Sequence, residues 1–154
     1  MPRVLFVVGL PGSGKTTFIR EFQTGGGRCF DDYKAKAKHD SSRFDQSQHF
    51  GELLSALRAG RECLVSDIDL CRADARQEAT VLLRREIPDL EIQWRCYENA
   101  PEKCRKNVVA RARPSLPSDL RAIEKYAPIY TYPDGCKPIP VAADGQTGCG
   151  LTAG

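Results

Sequence analysis

Eight residues near the start of the chain, Gly9-Leu10-Pro11-Gly12-Ser13-Gly14-Lys15-Thr16, have the types and spacing needed to hold a polyphosphate. They fit the pattern G-x-x-x-x-G-K-[ST]. The glycines let backbone N–H groups turn inward around an anion with no Cβ in the way. Lys15 can reach the outer phosphates, and the Thr16 hydroxyl can hold Mg²⁺. The expected nucleotide-binding stretch is therefore Gly12, Ser13, Gly14, Lys15, Thr16 and Thr17.

Three further groups could act on a bound phosphate. Asp31 and Asp32 are adjacent carboxylates, and one placed beside the loop can accept the proton of a hydroxyl that attacks the γ-phosphate. An acidic turn has the same composition, and spacing alone leaves the two readings open. Asp67 follows an apolar run, where a carboxylate can hold Mg²⁺ directly or through water. Asp69, two residues on, reads better as a helix cap. Arg105, Lys106, Arg111 and Arg113 crowd a later segment. One or two of them could close over the phosphates. A solvated basic face is the common alternative, and helical spacing does not choose among the four.

Positioning these groups requires strands and helices in alternation. Val4 to Val8 is a continuous apolar run, as in a strand buried on both faces. Phe18, Ile19 and Phe22 mark one face of a helix that Gly25-Gly26-Gly27 ends. Arg28-Cys29-Phe30 is a short strand running into Asp31. Residues 34 to 44 are charged and aperiodic and read as a loop. Asp45 with Gln48 resembles a capping box, ahead of a helix carrying Phe50, Leu53, Leu54 and Leu57. Cys63-Leu64-Val65 is the third strand, ending at Ser66-Asp67. Ala75, Ala79, Leu82, Leu83 and Glu86 share a face of a helix that Pro88 stops. Residues 90 to 97 alternate as a fourth strand. Asn99 with Glu102 suggests another helix start, with Cys104, Val108 and Ala112 turned inward. Residues 115 to 127 form a last helix, Ile139-Pro140-Val141 a short edge strand, and residues 145 to 154 a flexible tail. This alternation predicts an α/β fold, a parallel sheet with helices on both faces. Ligands then belong at the carboxyl ends of the strands.

The chain has 154 residues, enough for one domain with a sizeable core. The expected organisation is a phosphotransfer domain over residues 1–144 and a tail over 145–154. A net charge of +3 neither demands nor excludes nucleic acid. The seven cysteines form no pair or cluster with zinc spacing. Free thiols fit a reducing, cytoplasmic setting. Pro2-Arg3 leads straight into a strand, so no secretory leader is expected. No apolar run approaches the roughly 20 residues of a membrane span.

The segments Gly-Leu-Pro-Gly-Ser-Gly-Lys-Thr-Thr, Asp-Asp-Tyr-Lys, Val-Ser-Asp-Ile-Asp-Leu and Cys-Arg-Lys-Asn-Val-Val-Ala-Arg together resemble small P-loop kinases related to phage-type polynucleotide 5′-hydroxyl kinases. Gluconate, shikimate and zeta-toxin kinases belong to the same clan. The resemblance spans roughly residues 3 to 142. It implies a three-layer P-loop fold with a short helical lid, and use of ATP and Mg²⁺. It makes Asp31 the general base and places Asp32, Lys34 and Asp67 toward the substrate, with Thr16 and Asp67 toward the metal. Lys34 stands where that branch has an arginine, keeping the charge without the bidentate fork. Arg111 best matches the lid arginine, with Arg105 or Lys106 one turn or more before it. The expected activity is transfer of the γ-phosphate of ATP to an alcohol group. The favoured acceptor is a polynucleotide 5′-hydroxyl, such as a single-stranded nucleic-acid end. A small-molecule acceptor is the alternative. A regulatory nucleotide switch is the rival from another class, weakened by the absence of an N/T-K-x-D guanine signature. Oligomeric state is left open.

Overall fold

The structure, a computed structural model, describes residues 1–34 and 43–143. The loop expected over residues 34 to 44 falls mostly outside them, and the tail over 145–154 wholly. The four strands are β1 (Arg3–Val8), β2 (Arg28–Phe30), β3 (Cys63–Ser66) and β4 (Glu91–Cys96). They form one parallel sheet in the order β2-β3-β1-β4. The helices are α1 (Lys15–Thr24), α2 (Phe50–Arg58), α3 (Ala73–Glu86), α4 (Pro101–Arg111) and α5 (Leu116–Tyr126).

Pleating divides the strand residues between two layers. Val4, Phe6 and Val8 of β1 join Cys63 and Val65 of β3 in the larger core, under α2, α3, α4 and α5. Val7 and Leu64 point to the other face, where Ile19, Phe18 and Phe22 of α1 cover them. Both faces are thus buried, which is why β1 reads as an unbroken apolar run. Phe6 stacks on Trp94 at 4.6 Å between ring centroids, fixing the β1–β4 packing. Tyr33 stacks on Phe44 at 4.3 Å, and its hydroxyl donates to the Phe44 carbonyl. These contacts join the two ends of the chain that flank residues 35–42.

Several expectations are corrected locally. The start assigned to Asp45 is a short 3-10 helix, Phe44–Gln46, in which the Gln46 side chain accepts from the Arg43 N–H; α2 begins at Phe50. Asn99 does not cap α4, whose first turn has no side-chain cap. Its amide reaches the Ala127 carbonyl at 2.9 Å instead. Glu86 is exposed, and Arg76 takes the buried place on α3. Burial is possible there because Arg76 donates to the carbonyls of Leu70 and Thr131 and to the Thr131 hydroxyl. Ala112 is exposed in a left-handed turn, and Asn107 joins Cys104 and Val108 inside. The strand at 139–141 reduces to one parallel bridge, between Tyr97 and Ile139.

Candidate active site

The phosphate loop connects β1 to α1, at the carboxyl edge of the sheet. Gly12 and Gly14 have φ of 83° and 112°, a region in which side chains other than glycine are strained. At Gly12 the constraint is double, because a Cβ there would lie 2.6 Å from the Cys104 carbonyl oxygen of α4. The first N–H groups of α1 have no intrahelical acceptors. No side chain caps them. Such a helix N-terminus, with its dipole, is suited to an anion. The Lys15 ammonium donates to the Gly9 carbonyl at 2.5 Å, at the base of the loop.

A cleft of about 280 Å³ opens on this loop. Gly12, Gly14, Lys15 and Thr16 line it, as do Asp31 and Asp32. Arg111 enters from the end of α4, with Arg113, Ser115 and Asp119 beyond it. The cleft is at the lower bound for ligand pockets, about 300 Å³. A larger groove of about 520 Å³ runs along β4 and contains no residue of the phosphate loop. Its Arg95 lies over the Phe18 ring, 3.8 Å from the centroid.

Asp31 and Asp32 share the cleft because the chain turns at Asp32, with φ of 49°. Asp31 Oδ1 accepts the Asp32 N–H at 3.0 Å and holds this turn. Loss of water around the Asp32 carboxyl raises its pKa, and the Asp31 charge raises it further, against the pull of Lys15. Ser66 and Ile68, from the end of β3 and the turn after it, also line the cleft.

The remaining expected residues lie elsewhere. Asp67 is buried, and its two carboxylate oxygens accept the N–H groups of Lys34 at 2.6 Å and Asp69 at 2.9 Å. Burial raises its pKa, opposed by those two bonds. It, and not Asp69, caps the 3-10 helix Ile68–Cys71. Lys34 is paired with Asp69 at 2.8 Å, and both side chains are largely buried. Ser13 is buried within the loop, Thr17 is exposed, and Arg105 pairs with Glu102 one turn back on α4. Thr17, Lys34, Asp67 and Arg105 are not among the residues lining the cleft. Reasoning from sequence also misses two residues. Asp119, in the first turn of α5, lines the cleft. Asn107 carries two hydrogen bonds, to the Gly12 and Ala142 carbonyls. Its only sequence signal is its spacing, three residues after Cys104 on the buried side of α4.

Among the described residues no group of three or more His, Cys, Asp or Glu side chains could hold a metal ion. The donor set suits a Mg²⁺ ion that arrives on phosphates, which takes one or two protein ligands beside phosphate oxygens and water. The six described cysteines are free. Burial pushes the thiols of Cys63, Cys71 and Cys104 up to about 11, so they behave as small apolar side chains. No described helix is long and apolar enough to cross a membrane.

No protein-family model matches the chain. An uncharacterized protein of Acanthamoeba polyphaga mimivirus is 26% identical over 133 residues, 83% of this chain and 86% of that one. Among solved structures, a gluconokinase from Sinorhizobium meliloti superposes with a TM-score of 0.59 at 15% identity, covering 92% of this chain and 83% of that one. The protein APE1195 superposes with a TM-score of 0.51 at 17% identity, covering 95% and 87%. These likenesses show the fold, a parallel four-stranded sheet with helices like that of the gluconokinase.

Proposed function

We propose that this chain binds ATP–Mg²⁺ on residues 12 to 17 and transfers the γ-phosphate to a hydroxyl acceptor. One observation carries the reading: Lys15, Thr16, Asp31, Asp32 and Arg111 all line a single cleft. Phosphoryl transfer needs little more than positioning and charge stabilisation. The loop N–H groups and Lys15 hold the phosphate oxygens. Arg111 faces the charge that builds on the transferring group. Asp31 takes the proton of the attacking hydroxyl as the new P–O bond forms and the bond to the β-phosphate oxygen breaks. Thr16 would hold Mg²⁺ directly. Asp67 would act through a water of the metal's shell, since its oxygens already serve two backbone N–H groups. When bound, the ion would supply positive charge to the phosphates.

The favoured acceptor is a polynucleotide 5′-hydroxyl, supported by the resemblance of Asp31-Asp32-Tyr33-Lys34 to that kinase branch. A second reading, a small neutral hydroxyl compound, is supported by Lys34: its ammonium is held by Asp69. A phosphate on the acceptor would have to compete for it. Transfer from γ-labelled ATP tests both, against 5′-hydroxyl oligonucleotides, nucleosides, sugars and amino sugars. Label in the oligonucleotide supports the first and label only in a small molecule the second. Tight nucleotide binding with no label in any acceptor would favour a nucleotide switch.

A further inference from the structure

Asn107 is 3% exposed, on the side of α4 that packs against the phosphate loop. Its Nδ2 donates to the Gly12 carbonyl and to the Ala142 carbonyl, each at 2.8 Å. An amide NH₂ carries two hydrogens, so both bonds form at once. The first acceptor is one edge of the Gly12–Ser13 peptide. The opposite edge, the Ser13 N–H, donates to the Leu10 carbonyl at 3.1 Å. A planar peptide held at both edges cannot turn without breaking both bonds. The second acceptor belongs to a strap, residues 139–142, that leaves the edge of β4. The strap is fixed there by the Ile139 N–H on the Cys96 carbonyl, by the Glu98 N–H on the Ile139 carbonyl, and by burial of Val141.

We infer that Asn107 is a positioning residue, one that fixes the Gly12–Ser13 peptide and couples occupancy of the loop to the strap at 139–142. The inference rests on the reading of the loop as a phosphate site. With that peptide fixed, the first N–H groups of α1 are left facing the anion. An anion that draws on the loop then tightens the Gly12 end of the clamp. The same amide passes the restraint to Ala142.

Inorganic triphosphate with Mg²⁺ is the probe, because it has no base or sugar and so reports on phosphate contacts alone. Hydrogen exchange in the unaltered protein should slow over residues 10 to 17 on binding, and over residues 139–143 as well. In Asn107→Ala the triphosphate should bind about tenfold or more weakly, as when a buried hydrogen-bond donor is deleted. The strap should then no longer respond when the loop is saturated. Val108→Ala loosens the same packing and keeps the amide; at a comparable loss of melting temperature it should retain the strap response. Protection of the loop without protection of the strap, in the unaltered protein, would overturn the coupling even if no variant folds. So would Asn107→Ala binding with unchanged affinity and an intact strap response. If triphosphate neither binds nor protects the loop, the phosphate-site reading fails, and the coupling falls with it.

Discussion

The Lys34 ammonium donates to Asp69 Oδ2 at 2.8 Å, and the pair is largely buried. Asp69 also accepts from Arg72 Nε and Nη2, each at 3.0 Å, and from the Tyr126 hydroxyl at 3.3 Å. A residue expected to meet substrate thus ties the turn after β2 to the 3-10 helix after β3 and to α5. The adjoining backbone bond, from the Lys34 N–H to Asp67, fixes the same turn. Asp31 and Asp32 stand on that turn, so this network sets where their carboxylates lie.

The network makes stability depend on pH. Burial alone would raise the Asp69 pKa, but hydrogen bonds from Arg72 and Lys34 outweigh it, and the net shift is downward. A carboxyl whose folded pKa is depressed contributes stability above its unfolded value, about 3.9. That contribution is lost as pH falls through the folded value. Asp67 works in the opposite sense, because burial raises its pKa. Asp69→Asn should therefore cost about 1–3 kcal/mol at pH 7, since it strands Lys34 with a poorer partner. The gap from the unaltered protein should close as pH falls below the ordinary aspartate range and Asp69 protonates there too. Melting temperatures of both proteins from pH 2.5 to 7 give the comparison. A gap that stays constant with pH would remove the ion pair as its cause.

Gly12→Ala should cost about 2–4 kcal/mol, combining left-handed strain with a Cβ pressed on backbone. The clash is with the Cys104 carbonyl, at 2.6 Å. Nucleotide binding should be lost with it, because the loop and α4 cannot both keep their places. Gly51→Ala is the counterpart. Gly51 lies in α2 with nothing within 4 Å of the added carbon, and the change should add about 0.5–1 kcal/mol. Urea unfolding of the two variants should shift in opposite directions.

Legibility in the sequence followed the range of the interactions. The phosphate loop was legible because its constraints are local: left-handed glycines and a lysine within a few residues. The central strands β1 and β3 were legible because burial on both faces gives apolar runs, and β4 because its residues alternate. Asn107 was not, because its partners lie 95 and 35 residues away. The capping residue was misplaced by two residues for a related reason. Asp67 and Asp69 have equal intrinsic ability to cap, and the distant Lys34, together with the local Arg72, draws Asp69 off to an ion pair. Asn99 likewise is taken by Ala127 from another element. That Asp31 and Asp32 face one cleft depended on a left-handed Asp32, a conformation that an aspartate permits but does not dictate.

Arg111 and Arg105 should separate kinetically. Arg111 lines the cleft, whereas Arg105 pairs with Glu102 on the flank of α4. Arg111→Ala should lower single-turnover transfer by about 10²- to 10³-fold, the usual loss for a group that stabilises transition-state charge. Arg105→Ala should cost less than about tenfold, as expected for an exposed pair outside the site. Equal losses in the two variants would mean that α4 turns on binding nucleotide and brings both to the phosphates.

Lys15→Ala should abolish transfer while the protein remains folded. The ammonium's hydrogen bond to the Gly9 carbonyl is partly exposed and of modest worth to stability, about 1 kcal/mol. Its loss at the phosphates is far larger, because the γ-phosphate oxygens would then lack their nearest cation. A turnover rate equal to that of the unaltered protein, measured on a variant with near-normal melting temperature, would refute the site assignment.

Asp31 and Asp32 pose the decisive question about chemistry. If the acceptor is a hydroxyl, a positioned carboxylate takes its proton and contributes about 10²- to 10⁴-fold. In the proposed binding mode the phosphates rest on the loop, so nucleotide binding should not need that carboxylate. Asp31→Asn should therefore keep affinity for an ATP analogue within about threefold and lose transfer by about 10²-fold or more. An argument from an extended chain would turn Asp32 away, but the turn at φ 49° brings both carboxyls to the cleft, so Asp32→Asn is a necessary partner experiment. Asp32 as the base would leave its own pH signature. Asp32 has a raised pKa, so if it were the base, transfer would fall on acidification from above the ordinary aspartate value. Dissociation constants and single-turnover rates for both variants, with the rate followed from pH 4 to 8, separate the cases. A larger loss in Asp32→Asn, with an acid limb displaced upward in the unaltered enzyme, would move the base one residue along. Equal transfer by the unaltered protein and both variants would leave the cleft without a carboxylate base and return the chain to a nucleotide switch.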